Sequence, residues 1–192
     1  MYGYGYSLYN RIPFLNNSSI DPDAQAFITA AAITNATQKS AINTLVKSLK
    51  SYNIWSKMKA IYPFVGGTAT THKYNLKDPR DLDAAFRLVF NGGWTHSSTG
   101  ATPNGTNAYA DTKLVPSTSL SITSGHFSFY SRTNNDKGFE MGSSIGSVEQ
   151  ILATNNNGSF IVSYGTYIQF VANASGLGFY VTNRNSSLNT TG

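Results

Sequence analysis

The stretch HFSFYSR, residues 126–132, alternates apolar and polar side chains with a period of two. In an extended chain Phe127 and Phe129 point to one face, and Ser128 and Tyr130 point to the other. Such alternation is typical of a β-strand with one buried face. The stretch therefore predicts a strand that lies over a hydrophobic core.

Similar short runs recur along the chain, and clusters of Asn, Gly and Ser separate them. The runs are FRLVF (86–90), ADTKLVP (110–116), FEMGSS (139–144), EQILAT (149–154), SFIVSYG (159–165), YIQFVAN (167–173) and LGFYVTNR (177–184). The turns between them include PNGTN (103–107), NNDKG (134–138), NNNGS (155–159) and NASG (173–176). Closely spaced strands with such turns predict a mainly β fold over residues 60–192, an antiparallel sandwich or barrel, and the alternation fits a two-layer β-sandwich.

Helical signals precede this region and predict a helical neck or linker over residues 21–59. Asp21-Pro22 has the residues of an N-cap and a first helical position, and Asn35 can cap a second helix. One apolar stripe at helical spacing comprises Ile42, Leu45, Val46, Leu49 and Tyr52. After these helices, AIYPFVGG (60–67) predicts a short edge strand that Pro63 interrupts.

The chain begins MYGYGYSLYNRIPFL, and residues 1–20 are predicted to be an extended arm. Tyrosine combines an apolar ring with a polar hydroxyl and is common at interfaces. The expected partner-binding residues are Tyr2, Tyr4, Tyr6, Tyr9, Arg11 and Phe14. A loose tail is the alternative, although disordered tails are poor in aromatic residues. The stretch lacks the basic region and apolar core of a signal peptide, so synthesis in a cytoplasm is expected.

Composition limits the chemistry that the chain can perform. There is no cysteine, which excludes disulfides and thiolate catalysis. Charged residues are only 12% of the chain, and the net charge is +5. Residues 24–59 hold five lysines and no acid, which allows an acidic partner or, more simply, a solvated lysine face. Because this segment lacks an arginine cluster and interleaved aromatic residues, nucleic-acid binding is not expected.

Catalytic or metal-binding motifs are not evident. His72, His96 and His126 stand at no metal-ligand spacing, and we expect each at the surface or in a turn. The acids of DPRDLD (78–83) do not match a calcium loop, and Asp78-Pro79 predicts a helix start instead. We therefore expect no enzyme activity and no cofactor.

One stretch combines aromatic and amide side chains as sugar-binding sites do. It is GGWTHSSTGATPNGTNAY, residues 92–109, which we interpret as a long polar loop. The candidate glycan contacts are Trp94, His96, Asn104 and Tyr109. The alternative role for Trp94 is to fill the core beneath the loop.

Residues 57–116 resemble a module of structural proteins of tailed bacteriophages, including those of Bacteroidetes phages. The most specific stretches are AIYPFVGG (60–67) and NLKDPRDLDAAF (75–86). The predicted helices before them resemble the helical segment that precedes such modules. The resemblance covers residues 21–192 and implies a lectin or jelly-roll-like β-sandwich, similar to concanavalin A/laminin-G-like lectin sandwiches. The visible strands are fewer than such a sandwich uses. Either the chain is part of a longer protein, or another chain supplies the missing strands.

The resemblance implies a virion protein, a head or tail fibre or a decoration subunit that is assembled in the host cytoplasm. Its expected partners are capsid, portal or tail proteins, bound through the N-terminal arm. A homo-oligomer is also implied, with a trimer as the common form among fibres. The alternative function is a carbohydrate-binding module for host surface glycans, and no membrane association is expected.

Overall fold

The computed structural model describes residues 19–121, 123–136, 138–145, 148–165 and 167–185. Within them the chain forms two compact units that divide between Lys113 and Leu114. The predicted anchoring residues Tyr2, Tyr4, Tyr6, Tyr9, Arg11 and Phe14 lie outside the described residues. The described part is mainly β with antiparallel sheets and short helices, which confirms the predicted fold class at that level.

Two capped helices open the N-terminal unit, as the sequence predicts. Helix α1 spans Pro22–Ala30 and α2 spans Ala36–Ser51. The Asp21 carboxylate accepts a hydrogen bond from the Asp23 N–H, and the Asn35 side chain accepts one from the Gln38 N–H, both at 3.0 Å. Each cap satisfies a backbone donor that has no partner within the helix.

The core of this unit joins the helices to the chain that follows them. The predicted stripe of α2 is only partly buried, because Ile42 and Val46 are enclosed whereas Leu45 and Tyr52 are exposed. Leu76 is buried in the same cluster, and Ile61 and Val65 pack against it. The remaining buried members are Ala24, Phe27, Ile28, Ala31, Ile33 and Trp55, the last in a 3₁₀ turn at Trp55–Lys57.

The strand predicted at AIYPFVGG is wrong, because residues 60–65 have no regular secondary structure and join no sheet ladder. Pro63 has no N–H to donate, and Phe64 adopts a left-handed backbone with φ of +51°, which breaks the extended path. Side-chain hydrogen bonds take the place of strand pairing. The Ile61 N–H donates to the Asn75 side chain at 2.9 Å, and the Tyr62 hydroxyl donates to the Phe86 carbonyl at 2.6 Å.

The helix predicted to begin at Asp78-Pro79 is also wrong. A short helix α3 lies earlier, at Ala69–His72, and a 3₁₀ turn lies later, at Asp83–Ala85. Between them the acids bind neighbouring cations instead of capping a helix. Asp78 pairs with Arg80, and Arg87 pairs with both Asp81 and Asp83.

A bent β-ribbon ends the N-terminal unit where the sequence predicted a polar loop. Strand β1, Val89–Asn91, pairs antiparallel with β4, Tyr109–Asp111. Between them, β2 at Trp94–Ser97 and β3 at Gly100–Pro103 form a hairpin. The predicted strands at 86–90 and 110–116 therefore overlap β1 and β4 only in part.

The C-terminal unit contains a four-stranded sheet in the order β6-β7-β8-β9 and a separate pair, β5 with β10, all antiparallel. A short helix α4 at Pro116–Ser119 precedes them. The strands are β5 Gly125–Ser131, β6 Met141–Ile145, β7 Val148–Ala153, β8 Ser159–Gly165, β9 Tyr167–Ala172 and β10 Gly178–Arg184. Each overlaps a strand that the alternating pattern predicts.

Aromatic rings join the β5–β10 pair to β8. Phe127 stacks on Tyr164, and Phe160 contacts Tyr180, each with ring centroids 5.3 Å apart. Tyr130, on the opposite face of β5, is 64% exposed. The two faces of β5 thus differ as the alternation of HFSFYSR predicts.

Candidate functional site

The bent β-ribbon carries the four side chains that the sequence suggested for glycan binding. Strands β1 and β2 are separated by Gly92 and Gly93, whereas β3 and β4 are separated by residues 104–108. The longer side therefore folds back over the two glycines, and Asn104 N–H donates to the Gly93 carbonyl at 2.9 Å. This asymmetry produces the bend in the ribbon.

Asn104 organises the longer side of the bend. Its side-chain oxygen accepts hydrogen bonds from the backbone N–H groups of Thr106, Asn107 and Ala108 at 3.0 to 3.2 Å. Its amide nitrogen donates to the Asn107 side chain at 2.8 Å. An amide has an acceptor oxygen and a nitrogen with two N–H donors, and these contacts use the oxygen and one of the two N–H groups. Asn104 therefore has a structural role in the turn.

Gly92 and Gly93 are required by the close approach of this loop. Gly92 has φ of +73°, and a Cβ atom there would lie 2.3 Å from the Asn107 carbonyl oxygen. At Gly93 a Cβ atom would lie 2.5 Å from the Asn104 amide nitrogen. Any larger residue would push the loop away from the ribbon.

Trp94 and His96 lie on the same face of β2, and both are half-buried. Their rings stack with centroids 6.2 Å apart, and Phe90 contacts both rings edge to face. The indole N–H of Trp94 donates to the Asn91 carbonyl at 3.0 Å. Trp94 thus packs within the ribbon against Phe90 and His96, but it is not among the buried core residues.

Tyr109 differs from the two other aromatic candidates, Trp94 and His96, because its ring is exposed. It is 61% exposed and stands on β4 opposite Asn91. The sequence-based candidates therefore separate into a ring pair, Trp94 with His96, a turn residue, Asn104, and an exposed ring, Tyr109.

The prediction of surface or turn positions for the histidines is wrong for His96, which is half-buried on β2, and for His72. His72 is only 1% exposed, and Phe64 contacts its ring edge to face. Its Nδ1 lies 2.9 Å from Nδ1 of His96. His126, by contrast, is exposed as expected, and it contacts the side chains of Asn183 and Ser128.

The hydrogen bonds assign the tautomers of the two histidines. The Gly67 N–H donates to Nε2 of His72 at 3.2 Å, so that nitrogen carries no proton. Nδ1 of neutral His72 therefore bears the proton and donates to Nδ1 of His96. The pair fixes the ribbon to the Gly66-Gly67 turn, where a Cβ at Gly67 would approach Ser98 N to 3.0 Å.

Burial keeps both rings neutral. It lowers the pKa of His72 to about 4, and repulsion from His96 acts in the same direction. Burial also lowers the pKa of His96. Since both Nδ1 atoms are engaged with each other, the pair lacks the free lone pairs that a metal ion needs.

The aspartates of residues 78–83 are paired with neighbouring basic side chains. The hydrogen bond from Lys73 lowers the pKa of Asp81, and Arg87 adds to the effect. The hydrogen bond from Arg80 lowers the pKa of Asp78. These carboxylates are held as anions by fixed cations, so they are not poised as general acids near neutral pH.

Two features are absent from the described residues. No three His, Asp or Glu side chains in that part of the chain group as metal ligands. None of the helices described there is long and apolar enough to cross a membrane.

Comparison with known proteins gave no match: no family model, curated protein or solved structure is similar to the chain.

Proposed function

We propose that this chain is a non-catalytic structural subunit of a tailed-phage virion, a fibre or decoration protein. No match to a known protein supports this, so the proposal depends on two features of the chain itself. The first is the resemblance of residues 21–192 to modules of phage structural proteins, above all in NLKDPRDLDAAF. In this stretch Leu76 and Ala85 are buried, and Asn75 is 0% exposed.

The second feature, which carries the proposal, is the amount of aromatic surface on the C-terminal unit. Tyr130, Phe139, Phe170 and Phe179 are each between 60% and 66% exposed. Tyr130 and Phe179 are also direct cross-strand partners in the β5–β10 pair, so their rings form one patch. Contiguous apolar patches on a protein surface commonly mark interaction sites. Such a surface suits a subunit that is enclosed by neighbours in an assembly.

The same unit would form the displayed lectin-like module. In our proposal the β5–β10 pair and the four-stranded sheet are the two layers of a sandwich, joined by the ring contacts of Phe127 with Tyr164 and Phe160 with Tyr180. Two strands make a narrow layer for a sandwich of this class. Neighbouring chains would extend it in the assembled particle.

The N-terminal arm would anchor the subunit in a capsid, portal or tail protein. Tyr2, Tyr4 and Tyr6 alternate with glycine or serine, so an extended arm would place these rings on one side. Tyr9, Arg11 and Phe14 continue the mixture of rings and charge that is enriched at interfaces.

Deletion of residues 2–15 tests the proposal. We expect particles assembled with the deleted chain to lose the subunit, because the anchor is gone, while circular dichroism of the purified chain retains its β signal. Serine at positions 2, 4, 6 and 9 should have the same effect. Tyr52→Ser, which removes a 75% exposed tyrosine elsewhere, is the control and should not. Normal incorporation of the deleted chain would contradict the anchoring role.

Carbohydrate binding has weaker support. Asn104 and the Trp94 N–H are both used within the ribbon, so two of the polar groups expected to hold a sugar are already engaged. Tyr109 is the only exposed aromatic ring among the four candidates, since Trp94 and His96 are half-buried and Asn104 is an exposed amide. One exposed ring is less than sugar sites usually offer, since they combine stacking with several hydrogen bonds.

A further inference from the structure

Strand β9 ends the four-stranded sheet and exposes both of its faces. Within the part of the chain that the structure describes, its only strand partner is β8. Ile168 and Phe170, which share one face, are 46% and 65% exposed, and Val171 on the other face is 46% exposed. A strand in this position presents a row of backbone N–H and C=O groups and apolar side chains at the same edge.

The edge lacks the features that usually protect such strands from pairing. β9 contains no lysine, no other charged residue and no proline. Its pairing with β8 runs without a bulge from Ser159 opposite Ala172 to Tyr164 opposite Tyr167. Natural proteins protect edge strands with charges, prolines or bulges, because a flat apolar edge otherwise binds another strand. The β9 edge is therefore open to pairing with another strand.

We propose that β9 pairs antiparallel with β9 of a second copy of this chain, about a twofold axis at Phe170. Side chains of directly opposite residues share a face, so a twofold axis through the ladder must pass between two copies of one residue. With the axis at Phe170, Ile168 lies opposite Ala172 of the second copy. Val171 lies opposite Gln169 of the second copy.

This register continues an apolar row that is already present in the sheet. Ala153 on β7 stands opposite Ile161 on β8, and Ile161 stands opposite Phe170 on β9. Ala153 and Ile161 are buried, at 0% and 9% exposure, whereas Phe170 at the end of the row is not. Pairing at Phe170 places the two exposed rings together and extends the row into the second copy. Cross-strand aromatic pairs of this kind stabilise sheets.

Charge also favours a second copy as the occupant. Residues 114–192 hold three basic and three acidic residues, so two C-terminal units do not repel each other. A strongly charged partner would gain nothing from an edge that has no charge. This inference rests on the proposed function, since the second copy would be one of the neighbours in the assembly. The dimer is tested on the purified chain, whereas anchoring by the arm is tested in particles, so either can fail without the other.

Cysteine cross-linking gives a direct test because the chain has no cysteine of its own. Phe170→Cys should give a disulfide-linked dimer under mild oxidation, since opposite Cα atoms in an antiparallel ladder lie about 4.5–5.5 Å apart, within the Cα range of disulfides. Phe179→Cys is the matched control: Phe179 is 66% exposed but lies on β10. Equal cross-linking of the two variants, or none at position 170, would overturn the proposal.

Light scattering coupled to size exclusion provides the second measurement. We expect a dimer for the unmodified chain at about 100 μM. For Phe170→Lys we expect a dissociation constant at least about tenfold higher. Phe179→Lys should remain dimeric, and circular dichroism should show that both variants fold. A monomer or a trimer for the unmodified chain would overturn the proposal, because an isologous strand pair closes at two copies. Loss of the dimer on deleting residues 2–15 would also overturn it, by assigning the contact to the arm.

Discussion

Two buried polar residues, Asn75 and His72, hold the N-terminal unit together. The Asn75 oxygen accepts from the N–H groups of Ile61 and Lys77, and its amide donates to the carbonyls of Lys59 and Ala85. His72 joins the Gly67 turn to His96 on the ribbon. A buried polar group stabilises only when its partners are present, so each of these residues fixes the positions of several segments.

The stability of the N-terminal unit should fall as the pH decreases from about 6.5 to 4. The pKa of His72 is about 4 in the folded chain and near its ordinary 6.5 when unfolded. In that window the unfolded chain binds a proton that the folded chain excludes. The loss for His72 should be about 3 kcal/mol at most, at 1.36 kcal/mol per pKa unit. Urea unfolding followed through tryptophan fluorescence at several pH values measures it.

Substitutions separate His72 from other titrating groups. His72→Gln should be less stable at pH 7 and should lose the part of this pH dependence that His72 contributes, leaving the part from His96, whose pKa burial also lowers. His126→Gln, at an exposed site, should retain the whole dependence. The salt-bridged aspartates do not interfere, because the stability they give is lost mainly below about pH 4, where they become protonated. An unchanged slope in His72→Gln would show that His72 does not carry the effect.

At the scale of elements, the alternating pattern predicted β5 to β10 because each strand there is bounded by a clear turn. The ribbon was not predicted, since WTHS and GATP are too short and polar to resemble strands. Its pairing depends on the Asn104 turn folding back over Gly92 and Gly93. The site was predicted only in part. Trp94 and His96 are close in sequence and were grouped together, whereas the contact of His72 with His96 joins residues 24 positions apart and was missed.

Gly92 and Gly105 provide a matched test of the bend. Both have φ of +73°, but a Cβ at Gly92 meets the Asn107 carbonyl whereas a Cβ at Gly105 meets nothing within 4 Å. Gly105→Ala should therefore lose only the left-handed backbone cost, about 1–2 kcal/mol. Gly92→Ala should lose about 2 kcal/mol more, because the loop must move as well. Thermal or urea unfolding measures the difference, and equal losses would contradict the packing of the loop on Gly92.

At the scale of the whole molecule, net charge is divided unequally between the two units. The C-terminal unit has no net charge, so the whole excess of +5 belongs to residues 1–113. The largest exposed aromatic rings of the C-terminal unit lie on or beside its strands, at Tyr130, Phe139, Phe170 and Phe179. Association through β9 would thus be apolar, while the positive charge remains available to acidic neighbours in an assembly.

This division predicts how salt affects the dimer. Because β9 carries no charge, its pairing loses nothing when ions screen electrostatic attraction. Each copy carries +5 overall, so screening reduces a weak repulsion between copies. The dissociation constant should be unchanged or slightly lower at about 500 mM than at about 50 mM NaCl, over which the Debye length shortens severalfold. Sedimentation equilibrium at the two salt concentrations measures it. A dimer that weakens steeply with salt would instead be held by ion pairs, which the β9 edge cannot supply.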